Sequence, residues 1–274
     1  MNAPGRPRLL SVLPAFVVPD VRDAAAHYRD KLGFGVCFIV GEHPDQFAIV
    51  DRAPGHGVHL RSAGGATGRS NRARGGQAID AYLRVPDADA LHRELVGRGA
   101  NVLSEPRDEP WGRREFGVAD GDGFVWCVGA DRAPPAGGQA GAARAPAPAV
   151  ATAPEFVVED VSRAAAWYRH VLGFEVDAWG EPATYAVARR DGVAVHLSPA
   201  PEGGLPASNA EVDLWDACFE CEGVDALCAE FRGRGARIGR PPTTRPYAMR
   251  DFDVHDLDGY VLCFAEEAEP DPGV

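Results

Sequence analysis

The sequence predicts an α+β protein made by tandem duplication, with two βαβββ modules in each copy. Three observations carry this reading. Four blocks recur collinearly, each half of a repeat holds one short helix among several short strands, and an Ala/Pro/Gly segment separates the repeats. Residues 16–34 (FVVPDVRDAAAHYRDKLGF) return as 156–174 (FVVEDVSRAAAWYRHVLGF), 57–60 as 194–197, 85–102 as 221–238, and 111–127 as 247–263. Order is kept and the offset drifts only from 140 to 136, as a duplicated unit requires.

The first copy divides into elements as follows. Residues 12–18 are a short apolar run ended by Pro19-Asp20 and read as a strand. Asp20 is a helix N-cap, and Val21, Ala24, Ala25, Tyr28 and Leu32 recur at helical spacing over 21–31. Gly33 stops that helix. Strands follow at 35–40, 46–51 and 57–62. A second module repeats the pattern: strand 79–85, Pro86-Asp87, helix 88–98, Gly99, then strands near 101–105, 113–118 and 124–129. The second copy places the same elements at 153–158, 161–172, 175–180, 184–189, 193–198, 214–221, 224–234, 237–240, 249–254 and 260–265. Domain boundaries are expected at 8–131 and 152–267, with 132–151 a semi-extended linker.

Composition excludes several classes. The chain has 274 residues, 45% hydrophobic and 25% charged, which suits two globular domains rather than a disordered chain. Net charge is −12, so nucleic-acid binding is disfavoured. The acidity is lopsided: residues 1–131 carry 16 Lys and Arg against 17 Asp and Glu, and the remainder 12 against 23. An acidic half attracts cationic ligands. No apolar window reaches membrane-spanning length, the N-terminus lacks a secretory pattern, and six cysteines make no disulfide framework. The expectation is a cytoplasmic protein with reduced thiols and no membrane partner. Cys218-x-x-Cys221 falls on a strand, where i and i+3 face opposite ways, so it is read as no redox motif. The Gly-rich basic segment 63–77 lacks a phosphate-loop pattern.

The paired βαβββ modules resemble the vicinal oxygen chelate superfamily: glyoxalase I, extradiol dioxygenases, fosfomycin-modifying enzymes and bleomycin-resistance proteins. The markers are the opening helix motif at Val18–Phe34 and Val158–Phe174, and the closing strand motif at Glu115–Phe124 and Asp251–Tyr260. The segment Pro110-Trp111-Gly112-Arg113-Arg114-Glu115-Phe116, with Asp120 and Gly123 beyond it, is similar to bleomycin-resistance-like proteins. The second copy departs to Pro246-Tyr247-Ala248. The resemblance implies that each copy curls eight strands into a cup and that the copies pack as an intramolecular pseudo-dimer.

Registering these motifs puts Leu13, His59, Asp80 and Cys127 at the superfamily's metal positions in copy one, and Ala153, His196, Asp216 and Cys263 in copy two. Three of each four are competent ligands, so a divalent metal is one reading. Leu13 and Ala153 cannot coordinate, and a mixed His-Asp-Cys set does not suit a hard metal. The preferred expectation is therefore no cofactor. The ligand-lining residues expected are His59, Arg61, Asp80, Tyr82, Arg84, Trp111 and Cys127 in copy one. In copy two they are His196, Asp216, Cys218, Glu220, Tyr247 and Cys263. Such cups suit a small, flat, cationic natural product held by charge and stacking. The other reading is a lyase, isomerase or ring-cleaving dioxygenase, with Asp80 or His59 (Asp216 or His196 in copy two) as general base.

Overall fold

A computed structural model describes residues 6–42, 46–62, 70–71, 79–132, 149–200 and 208–269. Most of the linker and of segment 63–77 therefore lies outside the described residues. Copy one contains β1 (Arg8–Val17), α1 (Val21–Asp30), β2 (Gly35–Val40), β3 (Phe47–Ala53), β4 (His56–Arg61), β5 (Ala81–Arg84), α2 (Ala88–Gly97), β6 (Asn101–Val102), β7 (Arg107–Asp108), β8 (Arg113–Ala119) and β9 (Val125–Asp131). Copy two contains β10 (Ala151–Val158), α3 (Val161–His170), β11 (Glu175–Trp179), β12 (Tyr185–Arg190), β13 (Val193–Pro199), β14 (Ala217–Glu222), α4 (Val224–Gly233), β15 (Arg237–Ile238), β16 (Thr243–Thr244), β17 (Met249–His255) and β18 (Val261–Glu267), with a 3-10 turn at Asn209–Val212.

The helices start where local chemistry dictates. Asp20, Asp87 and Asp160 each accept from backbone N–H groups of the first turn, which otherwise have no partner. α4 has Gly223 at that position. There the Glu266 carboxylate, from β18, accepts from Gly223 N at 2.6 Å and Val224 N at 3.1 Å.

Each copy has its own hydrophobic core, filled by its own helices. In copy one Phe16 of β1 stacks on Phe124 at 4.1 Å, and Tyr28, Phe34 and Trp126 close around them. The copy-two cluster is built likewise, joined by Leu9 and Val12 from the start of β1. The two half-sheets of one copy thus face each other across their helices. Strand β1 pairs with β14 and β5 with β10, each from the other copy.

The sheets accordingly cross between copies. Sheet one runs β15-β17-β18-β14-β1-β4-β3-β2, with β16 beside β17. Sheet two runs β11-β12-β13-β10-β5-β9-β8-β6, with β7 beside β8. β1 is antiparallel to β14, with Leu13 opposite Cys218. β10 is antiparallel to β5, with Ala153 opposite Tyr82. The α+β class and the curled sheets hold, with nine strands to a sheet rather than eight. The expectation of one cup per copy is corrected: each cup joins the first module of one copy to the second module of the other.

Two side-chain staples seal this crossing. Asp80 accepts from Asn71 N and Val125 N, both at 2.7 Å, while the Asn71 amide donates to Ile79 O at 2.7 Å and across to Glu155 O at 3.1 Å. Asp216 does the same with Asn209 N and Val261 N, and the Asn209 amide donates to Ala15 O and Trp215 O, each at 3.1 Å.

Candidate functional site

Strand alternation sorts the residues. Val58, Leu60, Val195, Leu197, Phe252 and Phe264 point to the helices. Their neighbours His59, Arg61, His196, Asp251 and Cys263 therefore point to the helix-free face, and these faces are the two cups.

Cup two gathers His196 from β13, Tyr185 from β12, Glu155 from β10, Tyr82 from β5, Glu115 from β8 and Cys127 from β9. The Tyr185 hydroxyl and His196 Nδ1 are 2.6 Å apart. Burial, then the Arg189 and Arg113 charges, push His196 down to about 3, so the ring is neutral. The Tyr82 ring lies 5.2 Å from His196, and its hydroxyl donates to Glu115 Oε1 at 2.7 Å. Trp111 Nε1 donates to the same oxygen at 3.1 Å, while its indole is 65% exposed. Gly112 beside it has φ +82°, which glycine adopts freely. Tyr82 needs the bare backbone of Gly129, where a Cβ would fall 1.7 Å from the Tyr82 hydroxyl. Glu155 is buried and accepts from Ser198 Oγ at 2.7 Å. Burial pushes its carboxyl up to about 8, against the Ser198 hydrogen bond.

Cup one places different groups at equivalent positions. His59 lies opposite Ala15 of β1, as His196 lies opposite Glu155. Phe47 occupies the Tyr185 position, since each stands two residues before the partner of the histidine. Lacking a hydroxyl, Phe47 leaves His59 Nδ1 buried without a partner. Burial, then Arg61, push His59 down to about 3. Cys218 and Cys263 are register neighbours, and their contact, with burial, raises the Cys263 thiol well above its usual range. Arg245 forms an ion pair with Asp251 at 2.6 Å, and Arg240 with Asp253 at 2.5 Å. Tyr247, 62% exposed, has its hydroxyl 3.4 Å from Asp251 Oδ2.

Several expected groupings are corrected. His59 shares its cup with Cys218, Tyr247 and Cys263. Tyr82, Trp111 and Cys127 share theirs with His196. Asp80 and Asp216 do not line ligand space, because both oxygens of each are engaged by the staples. Burial pushes each to about 7, but with both oxygens held by backbone N–H groups neither is free to act as a general base. Arg84 pairs with Asp131, and exposed Glu220 accepts from Ser11 Oγ at 3.1 Å. Cys221 is buried on the face opposite Cys218, as the strand reading requires.

Sequence reasoning missed Glu155, Tyr185, Phe47, Trp215 and the Asn71 and Asn209 staples. Glu155 was visible as a lone carboxylate inside an apolar strand, and the staples as a repeated Ser-Asn pair before each conserved-in-copy Asp.

The family model for the glyoxalase/bleomycin resistance protein/dioxygenase superfamily matches residues 10–128 and 150–264. The chain belongs to that superfamily. No curated protein matches it. Among solved structures, glyoxalase I from Zea mays is 14% identical, covering 95% of this chain and 92% of its own, at TM-score 0.69. A Bacillus subtilis protein described as a candidate dioxygenase is 12% identical, covering 96% and 87%, at TM-score 0.68. At these identities the likeness is one of fold.

Members of this superfamily commonly bind a divalent metal, but the donors here do not fit one. His, Asp and Cys of each expected trio are split between cups or tied into staples. His196 Nδ1 is taken by Tyr185, and the His59 ring feels the Arg61 charge, which disfavours a further cation. Among the described residues no three His, Cys, Asp or Glu converge. No helix among them is long and apolar enough to cross a membrane.

Proposed function

We propose that the protein binds a small aromatic, cationic natural product in cup two, without transforming it, in the manner of bleomycin-resistance proteins. Sequestration, or an accessory role in natural-product handling, would follow. The observation that carries this reading is the Glu115 carboxylate, held by the Tyr82 hydroxyl and the Trp111 indole N–H. Two fixed donors hold the negative charge in place, and the exposed Trp111 face beside it offers a stacking surface for a planar cation. Trp179, 51% exposed with its ring 6.0 Å from Tyr185, adds an indole on the other flank of the same sheet. The buried Glu155–Ser198 pair favours one alternative, proton transfer by a glyoxalase-like lyase or isomerase.

N-methylacridinium is a suitable probe for the binding reading. Calorimetry should show saturable binding to the full chain. Trp111→Ala should weaken it roughly tenfold or more, from lost stacking and contact area. Equal affinity in Trp111→Ala, with the fold intact by circular dichroism, would remove cup two as the site.

A further inference from the structure

We propose that cup one is a second, chemically distinct site that takes a planar aromatic carboxylate. The inference goes beyond the reading above, because it concerns the other cup and the opposite ligand charge.

It starts from Arg61. The guanidinium carbon lies 4.3 Å from the Trp215 ring centroid and 5.1 Å from that of Phe47. These rings come from different copies, so the clamp exists only because the sheets cross. No ion pair or hydrogen bond to Arg61 is formed among the described residues, and its Nε is buried without an acceptor. Of the other cationic groups near the cup, Arg237 is exposed to solvent and two are committed. Arg245 is held by Asp251 through three contacts of 2.6–3.1 Å, and Arg240 by Asp253. Arg61 is thus the desolvated cation whose charge is not answered, a costly arrangement unless an anion completes it.

The surroundings specify the anion. His59 is 7% exposed, sits edge-on to Phe47 at 5.1 Å and to Trp215 at 6.3 Å, and has an open Nδ1. An aromatic frame around a guanidinium fork matches a flat ring bearing a carboxylate, which can take two parallel N–H bonds from arginine.

Comparison of the cups supports the assignment. Where cup one has Arg61, Phe47 and Ala15, cup two has Ser198, Tyr185 and Glu155. In cup two the Ser198 hydroxyl donates to the Glu155 carboxylate, and the Tyr185 hydroxyl partners His196 Nδ1. In cup one the corresponding histidine and arginine atoms are left open. The duplicated unit has thus acquired opposite polarity at the same place.

The test uses the full chain and 2-naphthoate, with neutral 2-naphthylmethanol as control. Naphthoate should bind saturably, perturb Trp215 fluorescence, and bind more weakly as salt rises. Arg61→Gln should weaken it by roughly ten- to a hundredfold, the loss of charge-assisted hydrogen bonds. Arg61→Lys, which keeps the charge but not the fork, should fall between and serves if Arg61→Gln fails to fold. Neither should alter N-methylacridinium binding in cup two, so failure here and failure of the cup-two reading are separable. No naphthoate binding up to about 5 mM would overturn the inference. So would equal affinity for the alcohol, or affinity unchanged in folded Arg61→Gln and Arg61→Lys.

Discussion

Glu155 shows how one buried residue couples a cup to the stability of the whole chain. Its folded carboxyl titrates near 8, against the usual 4.5, because burial disfavours the charge. Between these values the folded protein holds a proton that the unfolded chain has released. This group's contribution therefore makes stability fall as pH rises through that window. Glu155→Gln removes the titration, so urea unfolding midpoints should decline less between about pH 6 and 8 than in the parent. Identical slopes in the two proteins would show that the carboxyl titrates normally. His59 and His196 act at the other end. Held down to about 3, they lose stability as pH falls below the usual histidine range, because the unfolded rings take protons that the folded rings refuse. None of these shifts was legible in the sequence. Histidine, glutamate and arginine could be placed on the inward face by alternation, but the partner that sets each charge comes from a different strand.

At the scale of elements, strand pairs act as matched sets. β5 and β9 carry Tyr82 with Gly129, and β14 and β18 carry Cys218 with Ala265 at the equivalent positions. A methyl at 129 collides with the Tyr82 hydroxyl, so Gly129→Ala alone should displace the ring from Glu115 and cost about 1–3 kcal/mol by overpacking. Adding Tyr82→Cys should recover most of that stability while leaving acridinium binding impaired. If the double variant is no more stable than Gly129→Ala, the two residues are not coupled in this way. The helices and most strands were readable, because caps and apolar spacing are local. The two-residue strands β7 and β16 were not. Nothing in Arg107–Asp108 or Thr243–Thr244 alternates, and they are strands only through pairing with β8 and β17.

At the scale of the molecule, the crossing of sheets makes the two copies interdependent. β1 buries Leu9 and Val12 in the core of the other copy, and the Asn71 and Asn209 amides donate across the junction. A specific protease site inserted between residues 140 and 141 should therefore leave the two halves joined after cutting. They should co-elute on size exclusion and separate only in denaturant. Halves that elute apart under native conditions would show that the inter-copy strand pairing is too weak to hold them together.

The sequence by itself determined the duplication, the four βαβββ modules, the helix caps and the inward face of each strand. All of these rest on local spacing and short-range chemistry. Tertiary structure alone decided which module completes which sheet. The two copies offer nearly the same strand edges, so pairing within a copy and pairing between copies look alike in sequence. The choice falls to the cores: once Phe16, Phe124 and Trp126, or Phe156, Phe219 and Tyr260, draw two half-sheets together around their helices, each open edge must find its partner in the other copy. That choice brought Trp215 to Arg61 and Tyr82 to His196, and so decided which side chains share each cup.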